Sequence, residues 1–384
     1  MKKKILCFTD HYLPGFRAGG PIRSILNFVE NLGDEFEIYI ICNDRDMQDA
    51  NNYPNVNINS WNKVGKASVF YISKKYLGLK KLIKLLNEFD YDFLYLNSFF
   101  SPKFTILPLL LRQFKLIKKK ACIICPRGNL SPEALKLKSF KKKIYLKFFN
   151  LLGLYQDLNW QASSEHEKKD IIVNFKNTEK KISVVEDFTP LPLKSIYNNK
   201  IKSRSAGALR LLFLSRISPM KNLDFLLRVL SKIKTSIELS IYGPKEDLVY
   251  WKQCLSLIYG LPKNINVKIC DELKLDQTTN ILLQHDLFIS PTRGEAFGNA
   301  IIESVSSGLP AIISDKTLWR SDSNGGLEVL RLEENLWIDT ITKWSKYDEL
   351  TLKNKRQAAL DYANDIYQKN LTLKKNKEFF YSVL

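Results

Sequence analysis

The chain has 384 residues, long for one domain and comfortable for two, and 45% of them are hydrophobic, so each half can bury a core and a disordered composition is excluded. The net charge is +19 and uneven: residues 1–200 carry 33 Lys and Arg against 19 Asp and Glu, a surplus of 14. No uncharged run of about 18 residues occurs, which excludes a spanning helix, and six scattered cysteines at 7, 42, 122, 125, 254 and 270 suit a reducing compartment, so a cytoplasmic location is expected.

The start, MKKKILCFTDHY, has lysines ahead of apolar residues, but the apolar part runs only from Ile5 to Phe8 and Asp10 and His11 follow. That is too short for a secretory leader and predicts a first buried strand within KILCFTD (4–10). Further strands are expected at EIYIICN (37–43), FLYLNS (93–98), ACIICPR (121–127) and ISVVEDF (182–188). Helical stretches lie between them, such as PIRSILNFVENLG (21–33), with Pro21 near its start and Gly33 at its end. Strand and helix in alternation imply a parallel sheet with crossover helices. Cys122 and Cys125 form a CxxC inside an apolar run with no second pair, which reads as buried strand residues in place of a zinc or redox site.

Residues 103–147 hold 13 basic residues and one acid, Glu133. Such a segment attracts polyanions: nucleic acid, anionic lipid or a phosphorylated acceptor. Lysines outnumber arginines 46 to 13, so a solvated, lysine-enriched surface explains part of the excess. Within this region KLKSFKKKIYLKFFNLLGLY (136–155) alternates lysines with large apolar residues. Two readings stand there: a helix lying on an anionic membrane, at the inner face of the cytoplasmic membrane, or a core-packed helix with its lysines outward.

Residues 189–208 have two prolines and no long apolar run, which reads as a linker. The alternation restarts with LRLLFLS (209–215), NLDFLLRVLSKI (222–233), IELSIYG (237–243), NVKIC (266–270), DLFISPT (286–292), NAIIESVSSG (299–308) and PAIIS (310–314). The expected layout is a domain at 1–190, a linker at 191–208, a second domain at 209–365, and a helix at 366–384 with the option of packing back on the first domain. In such open sheets ligands bind beyond the carboxyl ends of the strands, so functional residues should follow strands.

The segment SPTRGEAFGNAIIESVSSGLPAIIS (290–314) has the right form. A strand ends in a turn that holds Glu295; Gly298 and Asn299 open a helix that carries Glu303. Backbone N–H groups at a helix start, around Phe297, Gly298, Asn299 and Ala300, suit an anionic phosphate, and Gly298 lets the backbone approach closely. Glu295 can reach a sugar hydroxyl, and Glu303 can accept from a ribose diol. A surface loop with a capping glutamate is the alternative.

The two glutamates, eight positions apart within this block, resemble the E-x7-E signature of glycosyltransferase family 4. The resemblance extends over roughly residues 5–330, more strongly in the second half. It implies the GT-B fold, two Rossmann-like α/β domains facing each other across a cleft, and a retaining transfer that needs no metal or other cofactor. A nucleotide diphosphate-sugar is then the co-substrate, and the acceptor a glycan or a lipid-diphosphate-linked glycan in cell-surface polysaccharide synthesis. FLSRISPMKNLDFLL (213–227) resembles the family's diphosphate-gripping loop, which implies roles for Arg216 and Lys221 beside the leaving group, where two fixed cations stabilise developing negative charge. IYGPKED (241–247), with Gly243, and the strand end ICDEL (269–273) fall where the family lines the nucleotide base; Asp271 replaces the usual loop glycine. LWRSDSNGG (318–326) resembles a loop of polysaccharide-assembly members, either acceptor-facing or packed through Trp319.

In the first half DHYLPGFRAGGPIRSI (10–25) resembles the family's glycine-rich acceptor-side loop, which implies that Gly19 and Gly20 bring backbone N–H groups near the donor phosphates. CPRGNLSPEALK (125–136) places Arg127-Gly128 where many relatives have His-Gly. A guanidinium cannot act as a base, so Arg127 is expected to bind phosphate or orient a hydroxyl. His11 follows the first strand and is a further acceptor-side candidate. No metal-ligand spacing is visible. Two other readings remain: another GT-B enzyme, such as a sugar-nucleotide epimerase or a phosphorylase, and a nucleic-acid-binding protein using the basic segment. The latter lacks stacking platforms or a recognisable module, so no nucleic-acid partner is expected.

Overall fold

The structure is a computed structural model that describes residues 2–136, 139–175, 178–190, 192–193, 208–295, 297–368 and 371–383. It divides into two units, residues 1–188 with 371–384, and residues 189–370.

The first unit holds strands β1 (Lys4–Phe8), β2 (Glu37–Asn43), β3 (Trp61–Val64), β4 (Ala67–Ile72), β5 (Phe93–Leu96), β6 (Ala121–Ile124), β7 (Asn159–Ala162) and β8 (Ile182–Val184). Its helices are α1 (Gly20–Leu32), α2 (Leu79–Glu88), α3 (Leu107–Gln113), α4 (Pro132–Lys136), α5 (Ser139–Leu151) and α6 (Glu165–Asn174). The sheet order is β3-β4-β2-β1-β5-β6-β7-β8. All neighbours are parallel except the β3–β4 hairpin at one edge. The central strands are buried on both faces, which is why they read as unbroken apolar runs. In β1 Leu6 and Phe8 join one core while Ile5 and Cys7 join the other, as the period of two requires.

The second unit holds β9 (Leu209–Leu214), α7 (Leu223–Leu230), β10 (Ile237–Tyr242), α8 (Leu248–Tyr259), β11 (Ile265–Ile269), α9 (Leu275–Gln284), β12 (Leu287–Ser290), α10 (Asn299–Ser306), β13 (Ala311–Ser314), β14 (Leu327–Leu330), α11 (Glu334–Ser345) and α12 (Glu349–Gln368). Its sheet is wholly parallel in the order β11-β10-β9-β12-β13-β14. Taken as strands one to six, this is the doubly wound order 3-2-1-4-5-6. The order reverses between β9 and β12, which creates a crevice at their carboxyl ends.

The last helix, α13 (Leu371–Ser382), belongs to the first unit. Phe380 is fully buried beside Phe28, Phe36, Phe93 and Tyr95, and Asn376 donates to the Glu186 carbonyl at 3.0 Å. The expected boundary at 365 falls inside α12, whose residue Ile366 packs on the second unit's core. Of the linker expected at 191–208, only 192, 193 and 208 are among the described residues.

Cys122 and Cys125 are buried, and burial pushes their thiols up, to about 12 and about 11. A thiol that resists ionisation is neither a good nucleophile nor a good metal ligand. Among the described residues no helix is long and apolar enough to cross a membrane.

Candidate active site

The loop after β9 and the loop after β12 meet at the switch point of the second sheet. Asn222 joins them. It takes a left-handed conformation (φ 60°, ψ 37°) at the start of α7, which Asn tolerates better than most residues. Its side-chain amide donates to the Pro291 carbonyl at 2.9 Å and accepts from the Arg293 guanidinium at 3.1 Å. The Arg293 backbone N–H and the Thr292 hydroxyl both donate to the Met220 carbonyl, at 2.8 and 3.2 Å. These bonds hold two segments about 70 residues apart in sequence, and they bring Lys221 against Glu295 as an ion pair. The side chains are 12% and 19% exposed, shielded but still reached by water.

Past Glu295 the chain turns into α10 at Gly298, whose φ of 82° is a left-handed value that favours glycine. A Cβ there would also lie 2.9 Å from Ile301 Cδ1. No side chain caps the helix among the described residues. The turn is fixed from behind: the Trp319 indole donates to the Phe297 carbonyl at 2.6 Å, and the two rings meet edge to face at 5.2 Å. Trp319 is therefore buried packing that positions the helix start. The Phe297 side chain lies in the same core. Glu303 is half-buried one turn beyond Asn299, on the same face of α10. Ala300 follows Asn299 in the first turn.

Arg216 leaves the same loop as Lys221 but pairs with Glu246, at 2.7 Å and with both side chains about 40% exposed. Gly243 has a steric reason of its own: a Cβ would lie 1.9 Å from the Ser215 carbonyl oxygen. The loops after β9 and β10 run that close because Ser215 N–H donates to the Tyr242 carbonyl (3.0 Å) and Ile217 N–H to that of Pro244 (2.8 Å). Beyond β10 and β11 opens a cavity of about 330 Å³ lined by Tyr242, Asp271, Glu272, Leu273, Gln277, Asn280 and Ile281. Asp271, where a glycine was expected, is part of its wall. Burial, and then the neighbouring Cys270 thiol, push the Tyr242 phenol up to about 12.

In the first unit the expectation for Arg127 meets a different arrangement. Arg127 itself has φ 54°, and its guanidinium donates to Asn97 Oδ1 (2.7 Å) and Tyr95 Oη (2.9 Å) and pairs with Asp187. Asp187 is 3% exposed and also accepts from the Ser24 hydroxyl on α1 at 2.9 Å. Arg127 thus ties β5, α1 and the chain beyond β8 together; a phosphate would have to compete with a buried carboxylate. Gly128 N–H donates to Glu167 Oε1 at 2.6 Å, so this turn too is anchored internally.

Gly19 opens α1 with φ 61°, and its N–H already donates to the Phe16 carbonyl at 3.0 Å, so that group is not available to a donor phosphate. Gly20 is the first residue of the helix. His11 is half-buried, with Nδ1 3.2 Å from the Arg45 carbonyl. Beside it burial pushes the Asp10 carboxyl up, against the Ser101 hydroxyl that donates to it at 2.8 Å.

Sequence reasoning passed over Asn222, Arg293 and Asp187. Asn222 had a signal, since it directly follows Lys221 at a turn into a helix. Asp187 had none, because its partner lies 60 residues away.

The family model for glycosyl transferases group 1 matches residues 208–336. No curated protein matches the chain in sequence. Among solved structures, Anabaena HepE in complex with UDP-glucose is similar at 16% identity over 99% of each chain, with a TM-score of 0.69. Sucrose-phosphate synthase from Thermosynechococcus elongatus is 12% identical over 100% of this chain and 99% of its own, with a TM-score of 0.74. The lipopolysaccharide outer core galactosyltransferase WaaB is 14% identical over 100% of each chain, with a TM-score of 0.59. These likenesses show the GT-B fold, and with the family match over residues 208–336 they support a GT-B glycosyltransferase.

Proposed function

We propose that the chain is a retaining, metal-independent hexosyltransferase of glycosyltransferase family 4. It moves a sugar from a nucleotide diphosphate-sugar to a glycan or lipid-linked acceptor in cell-surface polysaccharide synthesis. The observation that carries this reading is the Lys221–Glu295 pair, held by Asn222 at the sheet's switch point ahead of the start of α10. In the free chain each charge neutralises the other. A bound donor separates their duties: Lys221 turns to the diphosphate, and Glu295 accepts from a hydroxyl of the sugar. The α10 start adds the positive end of its dipole to the same phosphates, Glu303 accepts from the ribose, and Arg216 exchanges Glu246 for phosphate.

The chemistry follows from that placement. The bond from the sugar's anomeric carbon to the diphosphate oxygen breaks as the acceptor oxygen bonds to the same carbon from the same face. The departing phosphate oxygen takes the acceptor's proton, so the chain need not supply a base. Positive charge fixed before the reaction stabilises the leaving group without reorganisation. The cavity beside Tyr242 and Asp271 lies where the resemblance implies the nucleotide base. Because HepE binds UDP-glucose, a uridine diphosphate-sugar is the first donor to try.

The test is a thermal-shift panel of UDP, GDP and ADP on the full chain and on Lys221→Ala. One nucleotide should raise the melting temperature of the wild type and do so far less in the variant. No response to any of the three would sink the reading. Conversion of a donor sugar without an acceptor would point to an epimerase instead.

A further inference from the structure

The basic segment of the first unit carries a surface that donor chemistry does not use. Helix α5 buries Tyr145, Leu146 and Phe149 against the core, and Tyr145 donates to the Phe99 carbonyl at 3.0 Å. Its opposite face is apolar as well. Phe140, Ile144, Phe148 and Leu151 are spaced by four, four and three residues, within an arc of about 80°. All four point to solvent, Phe140 at 76% and Leu151 at 87% exposure. With Leu152 they make five of the fifteen exposed large hydrophobic residues among those described. Scattered singly, such residues need no explanation; a continuous stripe does.

Lysines border the stripe. On the helical wheel Lys147 falls on one side of it and Lys141 on the other, and both are exposed. Lys142 turns away, donating to the Ala134 carbonyl at 2.6 Å. The sequence left two readings for this helix, a membrane face or a core-packed helix with its lysines outward; α5 packs one face on the core and leaves an apolar face exposed. A second exposed pair, Phe114 and Leu116, lies in the loop that Lys119 ties to Asp157 just beyond α5, at 3.0 Å.

We infer that this stripe is a docking face for an anionic lipid bilayer, with Phe140, Ile144, Phe148 and Leu151 entering the acyl boundary and Lys141 and Lys147 meeting lipid phosphates. Charge decides between occupants. A second copy of the chain would set lysine against lysine, in a protein that already carries +19. A nucleic acid would satisfy the lysines but leave Ile144 and Leu151 without partners. A bilayer surface supplies both an apolar layer and phosphate at the right depths, because long lysine stems let the ammonium reach the headgroups while the ring beside it is buried.

Co-sedimentation of the full chain with vesicles tests this. Phosphatidylcholine vesicles containing phosphatidylglycerol should bind it, and pure phosphatidylcholine at least tenfold less. Phe140→Ser with Phe148→Ser should weaken binding about tenfold or more, and Lys141→Gln with Lys147→Gln about thirtyfold. Leu151→Ser, the most exposed of the four, carries the same test if the double variant is unstable. The thermal response to a nucleoside diphosphate should be unchanged in every variant, which separates this face from the donor site. The inference fails if the wild type ignores anionic vesicles, or if the Phe substitutions leave binding intact. It also fails if those substitutions abolish a concentration-dependent dimer, because a second copy would then cover the stripe.

Discussion

At the carboxyl edge of the first unit's sheet Arg127 commits its guanidinium to Tyr95, Asn97 and Asp187, whereas at the same edge of the second unit Lys221 pairs, among the described residues, with Glu295 alone, in a crevice that water still reaches. Both cations follow a strand, the position where a doubly wound fold places its ligands. Their surroundings differ in what removal would cost. Asp187 is a buried carboxylate that would be left unpaired in the core, 3% exposed; Glu295, 19% exposed, is nearer to water if Lys221 turns elsewhere. Position in the fold therefore nominates a residue, and the burial of its partner decides whether its charge is held in reserve for a ligand or locked into the fold.

Substituting on each side of this contrast should separate it. Arg127→Met leaves Asp187 uncompensated, and breaking a buried pair this way costs about 3–5 kcal/mol. Chemical denaturation should show that loss, and adding Asp187→Asn should recover part of it. A variant as stable as the wild type would mean that Arg127 is a ligand residue after all. Glu295→Ala should behave in the opposite way. Turnover falls by about a hundred to a thousandfold if Glu295 holds the sugar in the transition state, while stability falls less than in Arg127→Met, because Glu295 is 19% exposed against 3% for Asp187. Because Lys221 loses its internal competitor, a nucleoside diphosphate lacking the sugar should bind at least as tightly as before. Retained turnover would remove Glu295 from the site.

The contrast also explains what could be read from the sequence. The long apolar runs were legible because parallel strands are buried on both faces, and EIYIICN became β2 over the full length expected. The β3–β4 hairpin was not, because its first strand sits at the sheet edge, with mixed residues and partial exposure. The four-residue strands β7 and β14 are too short for a period to show. The loop block around Glu295 was legible because its chemistry is local: turn, glycine and helix start lie within ten residues. The partners of Arg127 were not legible for the converse reason. Its meaning depends on Asp187 and Tyr95, and no local pattern connects them to it.

Strand β12 repeats the contrast along its own length and yields the smallest effect. Its carboxyl end leads to Glu295, while at its amino end Asp286 is gripped by Arg210 at 2.7 Å and approached by Arg356 at 3.7 Å. His285 sits beside them, buried, with Nδ1 2.7 Å from the Ile281 carbonyl and its own carbonyl accepting from Arg356. Burial, and then the positive charge of Arg210, hold its imidazole below the ordinary value of 6.5. The unfolded chain therefore takes up this proton first as pH falls. The contribution to stability is complete above 6.5 and is lost as pH drops from there toward the folded value, with a slope of at most about 1.4 kcal/mol per pH unit. His285→Gln should flatten that part of the difference between acid and neutral stability without altering nucleotide binding at neutral pH. If the wild type and the variant lose stability in parallel below 6.5, the imidazole is not the group that titrates. If instead nucleotide binding changes with the substitution, the two ends of β12 are coupled, and the division between locked and reserved charge does not hold within this strand.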